Sequence, residues 1–255
     1  MSKNFINIKK FKDKIIMGFF TNQGGVSKGP YLSLNCSNNN DDDDKNVEKN
    51  IYIALKNIGI QNKKLKIINQ IHSNKVFLIN KNNFKKKFKG DGLITKDRNL
   101  ALGVLTADCA PIFIFNKQNT IICCLHSGWK GALNNIVREG IKKIISTNIQ
   151  PKDIIAIVGP CLGIKHFEVD NNFKINFIKK NRYYTKFFKF KNKQKSLFNL
   201  RGMINYQLEN EGISNIFNIK KDTYTNSQLF FSHRRSTHQN KIKSGRMINI
   251  ISLKD

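Results

Sequence analysis

The chain has 255 residues and a formal net charge of +28 at neutral pH, a length sufficient for one large domain or two small ones. Apolar residues make up 40% of it, which is typical of globular proteins and excludes wholesale disorder. No apolar run approaches the roughly 20 residues of a membrane helix, and the lysine-rich segment Met1–Phe11 lacks the apolar segment of a signal peptide.

The five cysteines are odd in number and form no CxxC pair. This pattern predicts free thiols in a reducing cytoplasm. The lack of a membrane-length apolar run predicts no membrane partner. The basic residues are scattered through Lys63–Lys66, Lys85–Lys89 and Lys186–Lys195, without one dense stripe. Nucleic-acid binding is one hypothesis for the charge, but no RNA-binding aromatic motif or zinc knuckle is present. We therefore expect solvated surface lysines and no specific nucleic-acid partner.

The first predicted helix covers Val47–Ile58, where apolar residues recur at helical spacing and Gly59 follows as a C-terminal cap. The preceding run Asn38–Asn46, NNNDDDDKN, indicates a solvated loop, although its aspartates have the chemistry to bind a cation. Further upstream, Gly24 and Gly25 predict a tight turn that brings backbone close to a ligand.

Strand-like apolar runs then dominate the chain. They are Lys66–Gln70, Val76–Asn80, Leu93–Thr95, Leu100–Leu105, Ile112–Phe115, Ile121–Leu125, Asp153–Val158, Ile213–Ile219 and Arg246–Leu253. Two more helices are predicted over Leu133–Ile145 and Leu200–Leu208, the second stopped by Gly212. Because strands outnumber helices and several are consecutive, we expect an α/β or α+β layered sandwich. A mixed β-sheet core would be flanked by helices in a single domain over residues 1–255.

Two motifs place metal-competent side chains where an apolar run stops. Cys109 lies in ADCAP, His126 ends TIICCLH, and His72 lies in NQIHSNKV between two further apolar runs. Thiolate and imidazole are ligands that zinc prefers, and three of them leave a fourth position for chemistry. On the residues alone, alternatives remain open. Cysteine often fills core space, a lone histidine is often structural, and no local spacing rule links the three.

Candidate anion-binding residues lie in two further motifs. HSGWKG joins a strand end to a helix start, where unpaired N–H groups bind anions, so Lys130 is a candidate residue for binding an anion such as phosphate. Trp129 suits stacking on a base or sugar and equally suits core packing. FFSHRRS places Arg234 and Arg235 after an apolar run, and arginine forks bind carboxylate and phosphate with two parallel hydrogen bonds. A surface loop without a ligand is the alternative for this motif.

Taken together, these segments resemble the family long described as multicopper polyphenol oxidases, or laccase-domain proteins, and regarded as zinc-dependent purine nucleoside phosphorylases. The matching pieces are GGVSKGPYLSLN, QIHSNKV, DGLIT, GVLTADCAPIFIF, HSGWKG, VGPCLG with FEV, NYQLENEGI, FFSHRR and GRM. They extend from about Phe19 to about Ile251. The resemblance implies that His72, Cys109 and His126 hold a zinc ion.

One departure from the family pattern concerns its anion chemistry. The family usually has an arginine just before the GGVS segment, where this chain has Thr21, Asn22 and Gln23. If that arginine holds substrate or phosphate, another cation has to substitute for it here.

The resemblance also implies an activity: phosphorolysis of adenosine, inosine and S-methyl-5'-thioadenosine, with hydrolytic deamination of adenosine. Purine nucleosides and inorganic phosphate are thus the expected partners. Zinc would lower the pKa of a bound water for deamination. We expect Cys109 and His126 to act at the reaction centre, with Asp108 as proton shuttle and His233 as the second choice.

Two other enzyme classes compete with this interpretation. The family's fold also resembles that of cysteine hydrolases, in which Cys109 would be the nucleophile and His126 its base, acting on an amide of cell-wall precursors. A copper oxidase is the other, but a laccase needs many histidines for several copper ions and this chain has five. Zinc is therefore the expected metal, with copper the second choice.

Overall fold

The computed structural model describes residues 4–38, 40–241 and 243–254. Asn39, within the predicted polar loop, lies outside the described residues. The strands are β1 (Phe5–Ile6), β2 (Ile15–Phe20), β3 (Lys64–Ile67), β4 (Val76–Leu78), β5 (Gly92–Thr95), β6 (Leu100–Thr106), β7 (Ala110–Asn116), β8 (Ile122–Ser127), β9 (Ile154–Val158), β10 (Glu168–Asp170), β11 (Phe188–Phe190), β12 (Lys195–Phe198), β13 (Asn215–Asn218) and β14 (Met247–Leu253). The helices are α1 (Asp44–Asn57), α2 (Trp129–Leu133), α3 (Ile136–Ile145), α4 (Asn171–Lys180), α5 (Leu200–Asn210) and α6 (His233–His238).

Two mixed sheets form the centre of the fold. The first has five strands in the order β1-β2-β14-β6-β3, and the second has six in the order β13-β9-β7-β8-β5-β4. Within the second, β7 runs antiparallel to both β8 and β9, whereas β9 and β13 are parallel, as are β4 and β5. A third sheet of three strands has the order β10-β12-β11. The prediction of a mixed α/β architecture is confirmed.

The two large sheets pack face to face. Phe113 and Phe115 of β7 point into the space between them, and Phe113 stacks on Phe19 of β2 with ring centroids 4.2 Å apart. The alternating residues Ile112 and Ile114 belong to the core on the opposite face. Since both faces of β7 are covered, every residue of the strand is buried, which explains its continuous apolar sequence. Burial of each isoleucine or phenylalanine side chain of this strand contributes about 1.5–3 kcal/mol.

Helices cover the outer faces of both sheets. The apolar side of α3 packs with α5 on the second sheet, and α1 places Ala54 and Leu55 in the core formed with Ile248 and Ile250 of β14. The result is a helix–sheet–sheet–helix sandwich. Gly59 has φ +73° and follows α1 as the predicted cap. No helix within the described ranges is long and apolar enough to cross a membrane.

Several local features differ from the predictions. The predicted helix from Leu133 is divided, because Asn135 adopts φ 54° and caps α3 by accepting a hydrogen bond from the Arg138 N–H. Strand β2 and the α4 region were not predicted. The turn at Gly25 brings the chain close to itself, and its approach to a ligand stays a prediction. A Cβ there would lie 2.3 Å from the carbonyl oxygen of Ser33.

Candidate metal centre

Three ligand-bearing side chains meet at one end of the second sheet. Cys109 directly precedes β7, His126 lies near the end of β8, and His72 lies in the loop between β3 and β4. Because Ala110 pairs with Ser127 in the antiparallel ladder, the start of β7 lies beside the end of β8. The candidate ligand atoms all lie within 4.8 Å of one another. The Cys109 Sγ is 3.9 Å from the His72 Nε2, and the two imidazole centroids are 4.9 Å apart.

The backbone around the cluster has an unusual conformation. His72 and Asp108 adopt φ values of 57° and 92°, a left-handed region that non-glycine residues seldom occupy and that costs about 1–3 kcal/mol each. A Cβ on Gly128 would lie 2.8 Å from the Cys109 Sγ and 3.0 Å from the His72 Cδ2. Only a glycine at this position leaves the thiol and the imidazole in place.

Asp91 links both histidine-bearing segments, although sequence reasoning did not single it out. This carboxylate is fully buried, and its Oδ1 lies 2.8 Å from the His126 Nδ1 and 3.0 Å from the His72 backbone N–H. Its Oδ2 accepts a hydrogen bond from the Ser73 hydroxyl at 2.7 Å. Because Asp91 engages Nδ1, His126 presents Nε2 to the cluster. The available signal was a charged residue directly before a buried strand, in DGLIT.

The electrostatics of the cluster favour a thiolate. Burial raises the pKa of the Cys109 thiol, but the charge of His126 and hydrogen bonds from His126 and His72 outweigh it and lower that pKa to about 6. Burial lowers the pKa of His126, yet the Cys109 charge and the Asp91 hydrogen bond raise it to about 9. For the other thiols burial dominates and raises the pKa: Cys36, Cys123, Cys124 and Cys161.

The donor set has the chemistry of a metal site. One thiolate and two imidazoles suit zinc, and copper(I) is also compatible with them. The glycine that makes room for the sulfur and the buried carboxylate behind His126 fit the same interpretation. Within the described ranges this is the one cluster of three or more histidine, cysteine or acidic residues spaced to hold an ion. Several copper ions, as a laccase requires, have no corresponding ligands in that part of the chain.

The cluster faces a cavity of about 300 Å³. Its lining residues are Ser37, Asn40, Ile68, Gln70, His72, Leu105, Ala107, Cys109, His126, His233 and Arg246. Arg246 was not singled out from the sequence, although the GRM motif that contains it was recognised. His233 is exposed and contributes an imidazole to the wall.

The structure does not bring Trp129 or Lys130 to the wall of this cavity. Trp129 packs on Phe173 of α4 with ring centroids 5.1 Å apart. The Lys130 ammonium lies 5.4 Å from the Trp129 ring centroid. Their roles in substrate binding stay predictions.

Arg234 and Arg235 also lie away from the cavity wall. The Arg235 guanidinium donates hydrogen bonds to the carbonyls of Thr223, at 2.7 Å, Tyr224, at 2.8 Å, and Phe230. Arg234 donates through Nη1 to the His166 carbonyl at 3.1 Å. Phosphate binding by either residue stays a prediction.

Asp108 is engaged on both carboxylate oxygens. Oδ1 accepts from the Thr223 hydroxyl at 2.6 Å, and Oδ2 accepts from the Arg234 backbone N–H at 2.7 Å. The carboxylate thereby ties the turn that holds Cys109 to the start of α6. Its role as proton shuttle stays a prediction.

The position of the missing family arginine lies outside the cavity. Asn22 lines a separate depression of about 190 Å³, together with Arg235 and Lys243. Its side-chain amide donates to the Ser227 carbonyl at 3.2 Å.

Comparisons with known proteins agree with the motifs. The sequence profile of the family described as multi-copper polyphenol oxidoreductase laccase matches residues 16–254. "Purine nucleoside phosphorylase RP494" of Rickettsia prowazekii is 32% identical over 189 residues, 74% of this chain and 78% of that protein. "Purine nucleoside phosphorylase YfiH" of Escherichia coli is 28% identical over 233 residues, 91% of each chain.

Solved structures agree as well. The crystal structure of the Bacillus licheniformis hypothetical protein YfiH superposes with a TM-score of 0.91 at 26% identity, covering 99% of this chain and 97% of that one. The fold, the profile match and the curated relatives all support the resemblance found in the sequence. The chain therefore belongs to the family described as multi-copper polyphenol oxidoreductase laccase.

Proposed function

We propose that this protein is a zinc-dependent purine nucleoside phosphorylase. The main support is the meeting of His72, Cys109 and His126 at a cavity that also contains a fixed cation, Arg246. The curated relatives with purine nucleoside phosphorylase in their names support the same class. Substrates would be adenosine, inosine and S-methyl-5'-thioadenosine, with deamination of adenosine as a side activity. We further propose that residues 1–255 form a single domain and that the protein acts in the cytoplasm.

Phosphorolysis makes three demands on such a cavity. A phosphate oxygen forms a bond to the ribose C1' while the bond from C1' to the purine N9 breaks, and the electron pair leaves with the base. The base must gain a proton, the phosphate must be held beside C1', and water must be excluded. A cavity of about 300 Å³ is at the small end of the range for small-molecule sites, so part of a nucleoside would extend towards its mouth.

Different residues of the chain would meet these demands. His233, an exposed imidazole on the cavity wall, is better placed to hand a proton to the base than Asp108, whose two oxygens already accept hydrogen bonds. Asp91 keeps the His126 ring in one orientation. A bound zinc ion would supply Lewis-acid chemistry at the floor of the cavity.

A second candidate is a cysteine-nucleophile amide hydrolase acting on cell-wall precursors, with a cysteine-hydrolase-like fold. The lowered pKa of Cys109 and the succession Cys109, His126 and Asp91 match the nucleophile, base and orienting acid of that class. The curated relatives' names do not point to it. In this mechanism the metal-free protein would be the active form.

The deciding experiment measures purine release from inosine and adenosine with and without inorganic phosphate, with a metal analysis of each sample. The wild type should release purine in a phosphate-dependent way, and Cys109→Ala should lose both bound zinc and activity. Cys123→Ala, a buried thiol outside the cavity, is the matched control. Phosphate-independent release, or undiminished release by Cys109→Ala, contradicts the proposal. Activity that survives chelation but not alkylation of Cys109 favours the hydrolase.

A further inference from the structure

The cavity wall contains one side chain with a permanent positive charge. The chain has 45 lysines and arginines, yet Arg246 alone among the described residues brings such a group to the wall. The surplus of surface lysines therefore does not extend into the site. An anionic substrate inside the cavity would meet Arg246 as its fixed counter-charge.

The hydrogen bonds of Arg246 leave part of its guanidinium available. Its Nη1 donates to the carbonyls of Ser244 and Gly245, both at 2.9 Å. Within the described residues, Nε and Nη2 make no hydrogen bond. Arg235 differs, because both of its terminal nitrogens donate to backbone carbonyls. Arg246 keeps one edge of its planar fork free. Arg234 also donates through Nη1 alone, but it is not among the residues that line the cavity, whereas Arg246 is.

The free edge is also held in place. The Arg246 backbone N–H donates to the Asn35 Oδ1 at 2.9 Å, and its carbonyl accepts from the Cys36 N–H at 3.1 Å. With Nη1 fixed by two carbonyls, little rotational freedom remains to be lost on binding. Such preorganisation favours recognition of an anion by two parallel hydrogen bonds.

The surroundings strengthen an ionic contact at this position. Burial lowers the pKa of the Arg246 guanidinium, while the charges of Cys109 and Asp108 raise it. A guanidinium stays protonated in proteins, so the consequence of burial is a cation partly stripped of water. Its attraction for an anion is then screened less than that of a surface lysine.

We propose that Arg246 binds the inorganic phosphate of the reaction, with its Nε and Nη2 edge donating to two phosphate oxygens. The inference rests on the proposed function and names the residue that gives it its second substrate. It differs from the sequence-based expectation, which assigned phosphate to Lys130, Arg234 and Arg235.

The first test measures the KM for phosphate of the zinc-loaded enzyme at saturating inosine. Arg246→Gln should raise the phosphate KM by about 10- to 100-fold, the value of charge-assisted hydrogen bonds, and change the inosine KM by less than about threefold. Arg246→Lys keeps the positive charge but lacks the planar guanidinium. Its phosphate KM should therefore lie between those of the wild type and Arg246→Gln. Arg182→Gln, an exposed arginine away from the cavity, should match the wild type.

The second test does not require turnover. Titration of inorganic phosphate into the zinc-loaded protein without nucleoside should give binding in the wild type, weakened by a similar factor in Arg246→Gln. If the phosphate KM and the phosphate affinity are unchanged in Arg246→Gln, the inference is wrong while the proposed function stands. If the wild type releases no purine at any phosphate concentration, the proposed function fails, and the titration alone decides the role of Arg246.

A purely structural role for Arg246 predicts a different result. Both variants would then lose thermal stability, and the kcat and both KM values would change together. That pattern also overturns the inference. Zinc content measured on every variant ensures that a lost metal is not mistaken for a lost phosphate contact.

Discussion

The cavity wall and the layer behind it contain similar side chains in opposite states of hydrogen bonding. We define the supporting layer as Asp91, Asp108, Thr223 and Arg235. Its carboxylates and guanidinium bind neighbouring backbone and side-chain groups. On the wall, Arg246 has guanidinium donors, Nε and Nη2, that no described residue accepts. The contrast suggests a criterion for assigning roles. A cavity residue whose hydrogen-bonding groups are not used by the protein can bind a ligand, whereas a residue whose groups are used supports the site, even when both belong to sequence motifs.

The largest effect should follow from removing a ligand on the wall. His126→Ala should lose the metal and reduce phosphorolysis by more than about 100-fold, beyond what loss of an outer partner costs. Metal analysis and steady-state kinetics measure the two quantities. His238→Ala, which removes an imidazole outside the cavity, is the control. Full metal content in His126→Ala would show that the ion binds elsewhere, and the distinction between wall and supporting layer would then be wrong.

A supporting-layer change next to the ligands should have the second-largest effect. Asp91→Asn replaces one acceptor oxygen by an amide that faces backbone N–H donors, so we expect a 10- to 100-fold lower metal affinity. A chelator competition assay measures that affinity. Asp153→Asn removes a carboxylate from a surface ion pair with Lys117 and should leave the affinity unchanged. Equal affinities in the two variants would show that Asp91 does not position the ligands.

The space around the sulfur gives a smaller and purely steric test. Gly128→Ala adds a Cβ that would lie 2.8 Å from the Cys109 Sγ, so the thiol or the loop must shift. We expect metal affinity to fall about tenfold, the lower end of the cost of disturbing a ligand's support. Gly131→Ala meets its nearest neighbours at an ordinary 3.5 Å and serves as control. Unchanged metal affinity in Gly128→Ala would mean that the close approach of residue 128 to the Cys109 Sγ is not required for metal binding.

The sequence, read together with the family resemblance, was enough to single out the three candidate ligands that the structure brings together. Each of them follows or adjoins an apolar run. A strand such as β7 is easy to recognise in the sequence because both of its faces are buried and its residues are therefore mostly apolar. The partners of Asp91, Arg235 and Arg246 were not predictable in the same way. Asp91 binds groups that are 18 to 35 positions away in the sequence and meet it only in the folded chain. Arg235 and Arg246 donate to backbone carbonyls, which no side-chain pattern encodes.

The secondary-structure prediction was also wrong where the local sequence pattern was ambiguous. Asn135 looks like an ordinary helical residue in sequence, but its side chain caps α3 and interrupts the predicted helix. The α4 region alternates lysine and phenylalanine without a clear period. Phe173 and Phe177 of α4 pack against Phe188 and Phe198 of the three-stranded sheet, which are distant from them in the sequence.

The smallest effect on activity should come from Arg235, one of the residues that the sequence analysis proposed for anion binding. Arg235→Gln leaves several backbone carbonyls without their donors, so we expect the free energy of unfolding to fall by about 1–3 kcal/mol. The phosphate KM should stay within about twofold of the wild type, since the guanidinium is already engaged with the protein. Denaturant unfolding and phosphate titration of the same sample separate the two quantities. A large rise in phosphate KM with unchanged stability would move Arg235 from the supporting layer to the binding wall, and the distinction by unused hydrogen-bonding capacity would then fail for its clearest case.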